Sequence, residues 1–277
     1  MKIFEFIPEG VKDGNVRAWV HEYPGNNIPK RKRPAIVICP GGAYRFVSER
    51  EAEPVAMVFF AAGYDTFILN YAVMEQAKNF YPLCQLASTF AHIRKYAEEW
   101  SIDENKIAVC GFSAGGHLAA SLGTLFNEEK FLKEFKRTEH IRPDAMILGY
   151  PVITADKFTH VESLEYVSGS KFGSDECTWF GLEQHVDGQT PPAFLWHTAE
   201  DQVVPVENSL KFVSALSAAK VPYELHILPK GDHGMSVCTK EVEEKEGARV
   251  YDEVWSYNAR WTKWCIQWLN ELFDFVV

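Results

Sequence analysis

The segment Gly111-Phe112-Ser113-Ala114-Gly115 sets one serine between two glycines, each two residues away. Ahead of it runs the β-type stretch Ile107-Ala108-Val109-Cys110, and behind it the helical stretch Gly116-His117-Leu118-Ala119-Ala120. A sharp strand-to-helix turn of this kind strains the serine backbone and lifts Oγ clear of the sheet. Side chains larger than hydrogen at the flanking glycines would collide with the adjoining strand and helix. The turn also sets the Ala114 N–H at a helix start, where a developing anion is stabilised. Such a serine can attack a carbonyl if a base stands within reach.

Nine histidines compete for that role, so position must choose among them. His233 lies in Pro229-Lys230-Gly231-Asp232-His233-Gly234, a glycine-flanked loop at the carboxyl end of the last apolar run. It is free to reach over the nucleophile and is the expected general base. His226 inside that run and His197 at the end of the preceding one read as structural, and so does His117, which its helix holds away from Oγ. The orienting acid should follow the preceding run, which leads into Thr198-Ala199-Glu200-Asp201-Gln202. Asp201 is the choice, with Glu200 and Asp232 as rivals. Upstream, Cys39-Pro40-Gly41-Gly42-Ala43-Tyr44 ends the first internal apolar run. Small residues there let backbone N–H groups converge on one oxygen, and Gly42 and Ala43 with Ala114 are the expected oxyanion hole.

These residues need elements to hold them. Extended segments are expected at 2–7 and 16–23, then strands at 35–39, 66–71, 106–110, 145–149, 193–197 and 223–228. Several of these runs are apolar throughout, as parallel strands covered on both faces require. Between them lie helical patterns: Leu83, Leu86, Phe90, Ile93, Ala97 and Trp100; Leu210, Val213 and Leu216; and Trp261, Trp264, Cys265 and Trp268. The tryptophan stripe reads as core rather than as a sugar platform. Strand–helix alternation predicts one α/β domain over residues 1–277, with a mostly parallel sheet and helices on both faces. Ligands then bind beyond the carboxyl ends of the strands. Residues 154–189 break the alternation and are expected to form an insertion or small cap beside the substrate.

The chain has 277 residues, 47% of them hydrophobic, enough for one sizeable core. A formal net charge of −10 argues against a nucleic-acid partner or an anionic membrane surface. The basic run Lys30-Arg31-Lys32-Arg33 and the charged segment 240–249 read as solvated. The N-terminal residues lack the apolar core of a signal peptide, and the most apolar stretch, 55–62, is too short to span a bilayer. Six cysteines lie scattered without Cys-x-x-Cys spacing and read as small buried hydrophobes, so a cytoplasmic protein is expected.

Taken together, the motifs resemble the acetyl esterase and acetylxylan-esterase-like branch of the α/β-hydrolases, related to the hormone-sensitive-lipase group. The resemblance runs from Pro34 to His233. It rests on Pro40 to Tyr44, on the segment from Asp103 through Gly111-Phe112-Ser113-Ala114-Gly115 to Ala119, on the turn from Asp201 to Pro205, and on Asp232-His233-Gly234. The order Ser113, Asp201, His233 is the α/β-hydrolase order. The resemblance implies an α/β-hydrolase fold and hydrolysis of short acyl esters, acetyl above all, of sugars or xylo-oligosaccharides. It departs in two places. Relatives of the hormone-sensitive lipase carry His-Gly-Gly-Gly where this chain has Pro40-Gly41-Gly42-Ala43, and they often carry a larger N-terminal cap than this chain has room for.

The implied mechanism is a two-step acyl transfer with no metal or other cofactor; the histidines show no metal-ligand spacing. Tyr44, Trp179 and Phe180 are candidates for the substrate pocket. The partner expected is a small-molecule ester, and a homodimer is compatible with the sequence. A small peptidase of the prolyl-oligopeptidase type and a non-catalytic ligand receptor on the same fold are the alternatives.

Overall fold

In the computed structural model, which describes residues 1–22, 31–137, 140–244 and 250–276, the apolar runs form one eight-stranded sheet. Its strands are β1 (Lys2–Phe6), β2 (Val16–Val20), β3 (Arg33–Cys39), β4 (Asp65–Leu69), β5 (Ile102–Phe112), β6 (Ala145–Gly149), β7 (Ala193–Thr198) and β8 (Tyr223–Leu228). The order is β1-β2-β4-β3-β5-β6-β7-β8. β2 pairs antiparallel with both β1 and β4, and every other pairing is parallel. This is the α/β-hydrolase fold. The sequence-predicted bounds of β6 and β8 match those observed; β5 is longer than expected, and β4 stops at Leu69, short of Tyr71, whose hydroxyl bonds the Pro40 carbonyl. The Lys30 end of the basic run, residue 23 and residues 245–249 lie outside the described residues.

The helices are α1 (Glu53–Ala61), α2 (Tyr81–Lys95), α3 (Ala97–Trp100), α4 (Ser113–Leu125) and α5 (Glu129–Phe135). They continue with α6 (Val161–Ser168), α7 (Asp175–Thr178), α8 (Glu207–Ala218), α9 (Glu253–Asn258) and α10 (Arg260–Leu272). The sheet splits the core in two. Side chains of α2, α4 and α8 pack with Val37, Val109 and Leu195 on one face, and those of α1 and α10 pack with Ile38, Cys110 and Trp196 on the other. The tryptophan stripe is core: Trp261 is fully buried and stacks on Trp196 with ring centroids 5.1 Å apart. No helix among the described residues is long and apolar enough to cross a membrane.

Register is what serves the site. Cys39 lies opposite Gly111, Phe112 opposite Gly149, Gly149 opposite Trp196, and Thr198 opposite Leu228. The segments that follow β3, β5, β7 and β8 therefore leave the sheet along a single edge, at the carboxyl ends where parallel sheets bind ligands.

Candidate active site

β5 runs into α4 with no intervening residue, and Ser113 at the junction has φ +53. An L-residue adopts that conformation only when its surroundings impose it. They do so by closeness of packing. A Cβ on Gly115 would stand 2.1 Å from the Cys39 carbonyl oxygen, and one on Gly111 would stand 2.1 Å from that of Gly115. Both glycines are thus demanded by the approach of α4 to β3 and β5.

The loops after β7 and β8 deliver the other two groups. His233 Nε2 lies 2.8 Å from Ser113 Oγ, and His233 Nδ1 lies 2.7 Å from Asp201 Oδ2. With Nδ1–H donating to the carboxylate, Nε2 is left to accept from the serine hydroxyl. Asp201 is 5% exposed. Its Oδ1 accepts the N–H groups of Val203 and Val204, both at 2.9 Å, and His197 Nε2 stands 3.3 Å from Oδ2. Burial opposes its ionisation, but the hydrogen bonds from His197, His233 and the backbone, with the nearby His233 charge, outweigh it and hold the carboxyl well below its ordinary range. The rivals Glu200 and Asp232 are both exposed.

The turn after β3 runs through positive φ at Gly42 (+125), Ala43 (+57) and Tyr44 (+55). The Gly42 carbonyl accepts the N–H groups of Arg45 and Phe46, while among the described residues no hydrogen bond engages the N–H of Gly42 or Ala43. Both residues line a cleft of about 240 Å³ that also contains Ser113 and His233. Ala114 sits in the first turn of α4, where N–H groups have no intrahelical partner. The cleft is completed by Arg45, Phe46, Arg50, Glu51, His160 and Glu162. Glu162 also edges a second cleft of about 400 Å³, lined by Met74, Lys78, Tyr166 and Lys171.

Tyr44, Trp179 and Phe180, the expected pocket residues, do not line the cleft. Tyr44 is fully buried with its hydroxyl 3.0 Å from His117 Nδ1, and the Phe180 carbonyl lies 3.0 Å from the other nitrogen of that histidine. Phe180 packs on Phe80, and Trp179 lies under the Lys130 ammonium, 4.2 Å from its ring centroid. The reason is the path of the insertion. Its 160–162 stretch reaches the cleft, whereas the Trp179-Phe180 stretch folds back beside α4. Residues 154–189 form α6, α7 and a short 3-10 helix over Leu182–His185, without a strand.

The sequence singles out none of Arg45, Phe46, Arg50, Glu51, His160 and Glu162. His160 bonds Ser163 Oγ at 2.9 Å through Nδ1; burial and then the neighbouring His233 lower its basicity. Its place in the insertion was its only signal. His117, His197 and His226 have structural partners. His197 is fully buried between Ser209 Oγ and the Val204 carbonyl, both at 2.8 Å, and His226 stacks on Trp264 at 4.4 Å.

A family model described as BD-FAE matches residues 24–216. Endo-1,4-beta-xylanase B of Butyrivibrio fibrisolvens is 38% identical over 213 residues, 76% of this chain and 34% of that protein. An acetylxylan esterase of Xylanibacter ruminicola is 30% identical over 214 residues, 74% of this chain and 42% of that protein. The crystal structure of an acetyl ester-xyloside bifunctional hydrolase from Caldicellulosiruptor lactoaceticus superposes with a TM-score of 0.78 at 32% identity, covering 95% of this chain and 89% of the other. The chain spans less than half the length of the two curated relatives named here.

Proposed function

Because the chain belongs to the BD-FAE family, an esterase branch of the α/β-hydrolase superfamily, we propose that it is a carboxylic ester hydrolase that removes short acyl groups, acetyl first among them. The observation that carries the reading is the continuous hydrogen-bonded chain from Ser113 Oγ through His233 to Asp201. Ser113 attacks the ester carbonyl as His233 Nε2 takes its proton, and Asp201 holds the imidazole tautomer and stabilises the imidazolium. The N–H groups of Gly42, Ala43 and Ala114 receive the oxyanion; each such donor is worth about 10²–10³ in rate. His233 then returns the proton to the leaving alcohol, and water repeats the sequence on the acyl-enzyme.

The alcohol is read as a sugar or xylo-oligosaccharide. The names of the two acetyl-ester relatives support this, and so do the charged side chains of the cleft and of its neighbour beyond Glu162, which suit a hydroxyl-rich group. The test is p-nitrophenyl ester hydrolysis over acyl chains from acetyl to octanoyl, with Ser113→Ala in parallel. Expected is strong acetate turnover that declines with chain length and disappears in the variant. No turnover of any ester by the intact protein would overturn the reading and turn attention to peptide substrates and ligand binding.

A further inference from the structure

The geometry around Ser113 depends on two loops that follow strands far apart in the sheet: the turn after β3 with Gly42 and Ala43, and the loop after β8 with His233. One dipeptide touches both. Glu51 is 3% exposed, and its Oε2 accepts the Gly41 N–H at 2.8 Å. Its Oε1 accepts the Tyr150 hydroxyl at 2.6 Å, and that hydroxyl oxygen in turn accepts the Ser236 N–H at 2.9 Å. Burial, then the Glu51 charge, pushes the Tyr150 phenol far above its ordinary range, so it stays protonated and donates. The Tyr150 ring stands edge-on to the His233 imidazole, with centroids 4.9 Å apart.

Arg50 holds the same loop directly. Its guanidinium donates to the Gly234 carbonyl at 2.8 Å, and its own carbonyl accepts the Ser236 hydroxyl at 2.6 Å. Ser236 has φ +52, a conformation that needs such external support. The residue next to His233 and the one three positions beyond it are thus both fastened to Arg50-Glu51.

A buried carboxylate is costly and is retained where its hydrogen bonds do something that an apolar side chain cannot. Among the described residues no ion pair neutralises Glu51; its hydrogen-bond partners are a backbone N–H and a phenol. It also stands close to the chemistry. A Cβ built on Gly41 would lie 2.6 Å from Glu51 Oε2 and 3.0 Å from Ser113 Cβ. A displaced Glu51 would shift the turn that carries Gly42 and Ala43 together with the ring that flanks His233.

We propose that Arg50 and Glu51 form a clasp that fixes the oxyanion turn against the imidazole loop, with Glu51 a positioning residue for acyl transfer. The clasp rests on the reading of Ser113 as nucleophile and His233 as base. Small misplacements of reacting groups cost up to about 10²-fold in rate. A glutamine at position 51 keeps the shape but offers one acceptor oxygen where two are used.

The test is p-nitrophenyl acetate kinetics, with phenylboronic acid as a mimic of the tetrahedral adduct, on the intact protein, Glu51→Gln, Tyr150→Phe, the double variant and Ser113→Ala. Expected in Glu51→Gln is a kcat lower by about 10- to 100-fold, a KM within about threefold, and boronate affinity lost in step with kcat. Tyr150→Phe keeps the charge and cuts the link, and is expected to lower kcat about tenfold, also if Glu51→Gln fails to fold. The double variant should be no slower than Glu51→Gln, because both cut one chain. Folded variants with kcat within about threefold of the intact protein, a raised KM with boronate affinity unchanged, or multiplying losses in the double variant would overturn the clasp. Turnover surviving in Ser113→Ala would overturn the underlying reading, and the clasp with it.

Discussion

His233 reaches Ser113 from the loop after β8 and His117 follows it one turn along α4; each has both ring nitrogens engaged, and their surroundings set them to different work. His233 stands on a glycine-flanked loop between a carboxylate at 2.7 Å and a hydroxyl at 2.8 Å, at the wall of a cleft. His117 is fully buried between two neutral partners, the Tyr44 hydroxyl and the Phe180 carbonyl. Burial lowers its pKa to about 4 against the opposing pull of the Phe180 carbonyl. An imidazole becomes a base when an anion stands behind it and an acid proton in front; among neutral groups in an apolar interior it becomes a strut. Here the strut ties the turn after β3 to the insertion, across the first turns of α4.

Four substitutions or titrations break or sharpen that contrast. Removing the anion behind His233 has the largest effect. Asp201→Asn is expected to lower kcat by about 10⁴-fold through the wrong tautomer, with little change in KM, measured on p-nitrophenyl acetate. Next comes acid. Folded His117 resists protonation, whereas unfolded it titrates near 6.5, so below that pH only the unfolded chain gains this proton. Stability from this site is complete above 6.5 and is lost as pH falls toward about 4, by about 3 kcal/mol in all. Urea unfolding at a series of pH values should show this slope in the intact protein and a shallower one in His117→Asn.

Smaller is the loss of a neutral partner. Tyr44→Phe strands one nitrogen of His117 and is expected to cost about 1–2 kcal/mol of stability, with kcat reduced less than about tenfold. A larger loss in kcat would mean that Tyr44 takes part in catalysis after all. Least of all on activity, Trp179→Ala lies away from the cleft. It is expected to leave kcat/KM for p-nitrophenyl acetate within about twofold while lowering Tm, because it removes aromatic packing. A strong rise in KM would restore Trp179 to the substrate pocket.

How far the sequence could be read divides along the same line. The strands were legible because runs such as 145–149 and 223–228 are bounded by turn residues and match β6 and β8. The serine turn was legible because its constraints are local: two glycines in contact with backbone within a few residues or on the adjoining strand. His233 and Asp201 were legible from their places after β8 and β7. The lining of the cleft was not. Whether Trp179 or His160 faces Ser113 depends on how the insertion folds, which no spacing encodes. Glu51 sits in the polar run Ser48-Glu49-Arg50-Glu51, yet it is buried where its carboxylate meets the Gly41 N–H and the Tyr150 hydroxyl, partners distant in sequence that no local spacing encodes. His197 reads as structural and is buried, yet the sequence holds no sign that it stands 3.3 Å from Asp201.

The most direct test of Ser113 as the nucleophile is intact-mass and peptide mass spectrometry after reaction with a fluorophosphonate, which traps an activated serine covalently. One adduct per chain on the peptide containing Ser113, and none on Ser113→Ala, is the expected result. An unmodified intact protein, or equal labelling of Ser113→Ala at another residue, would contradict it.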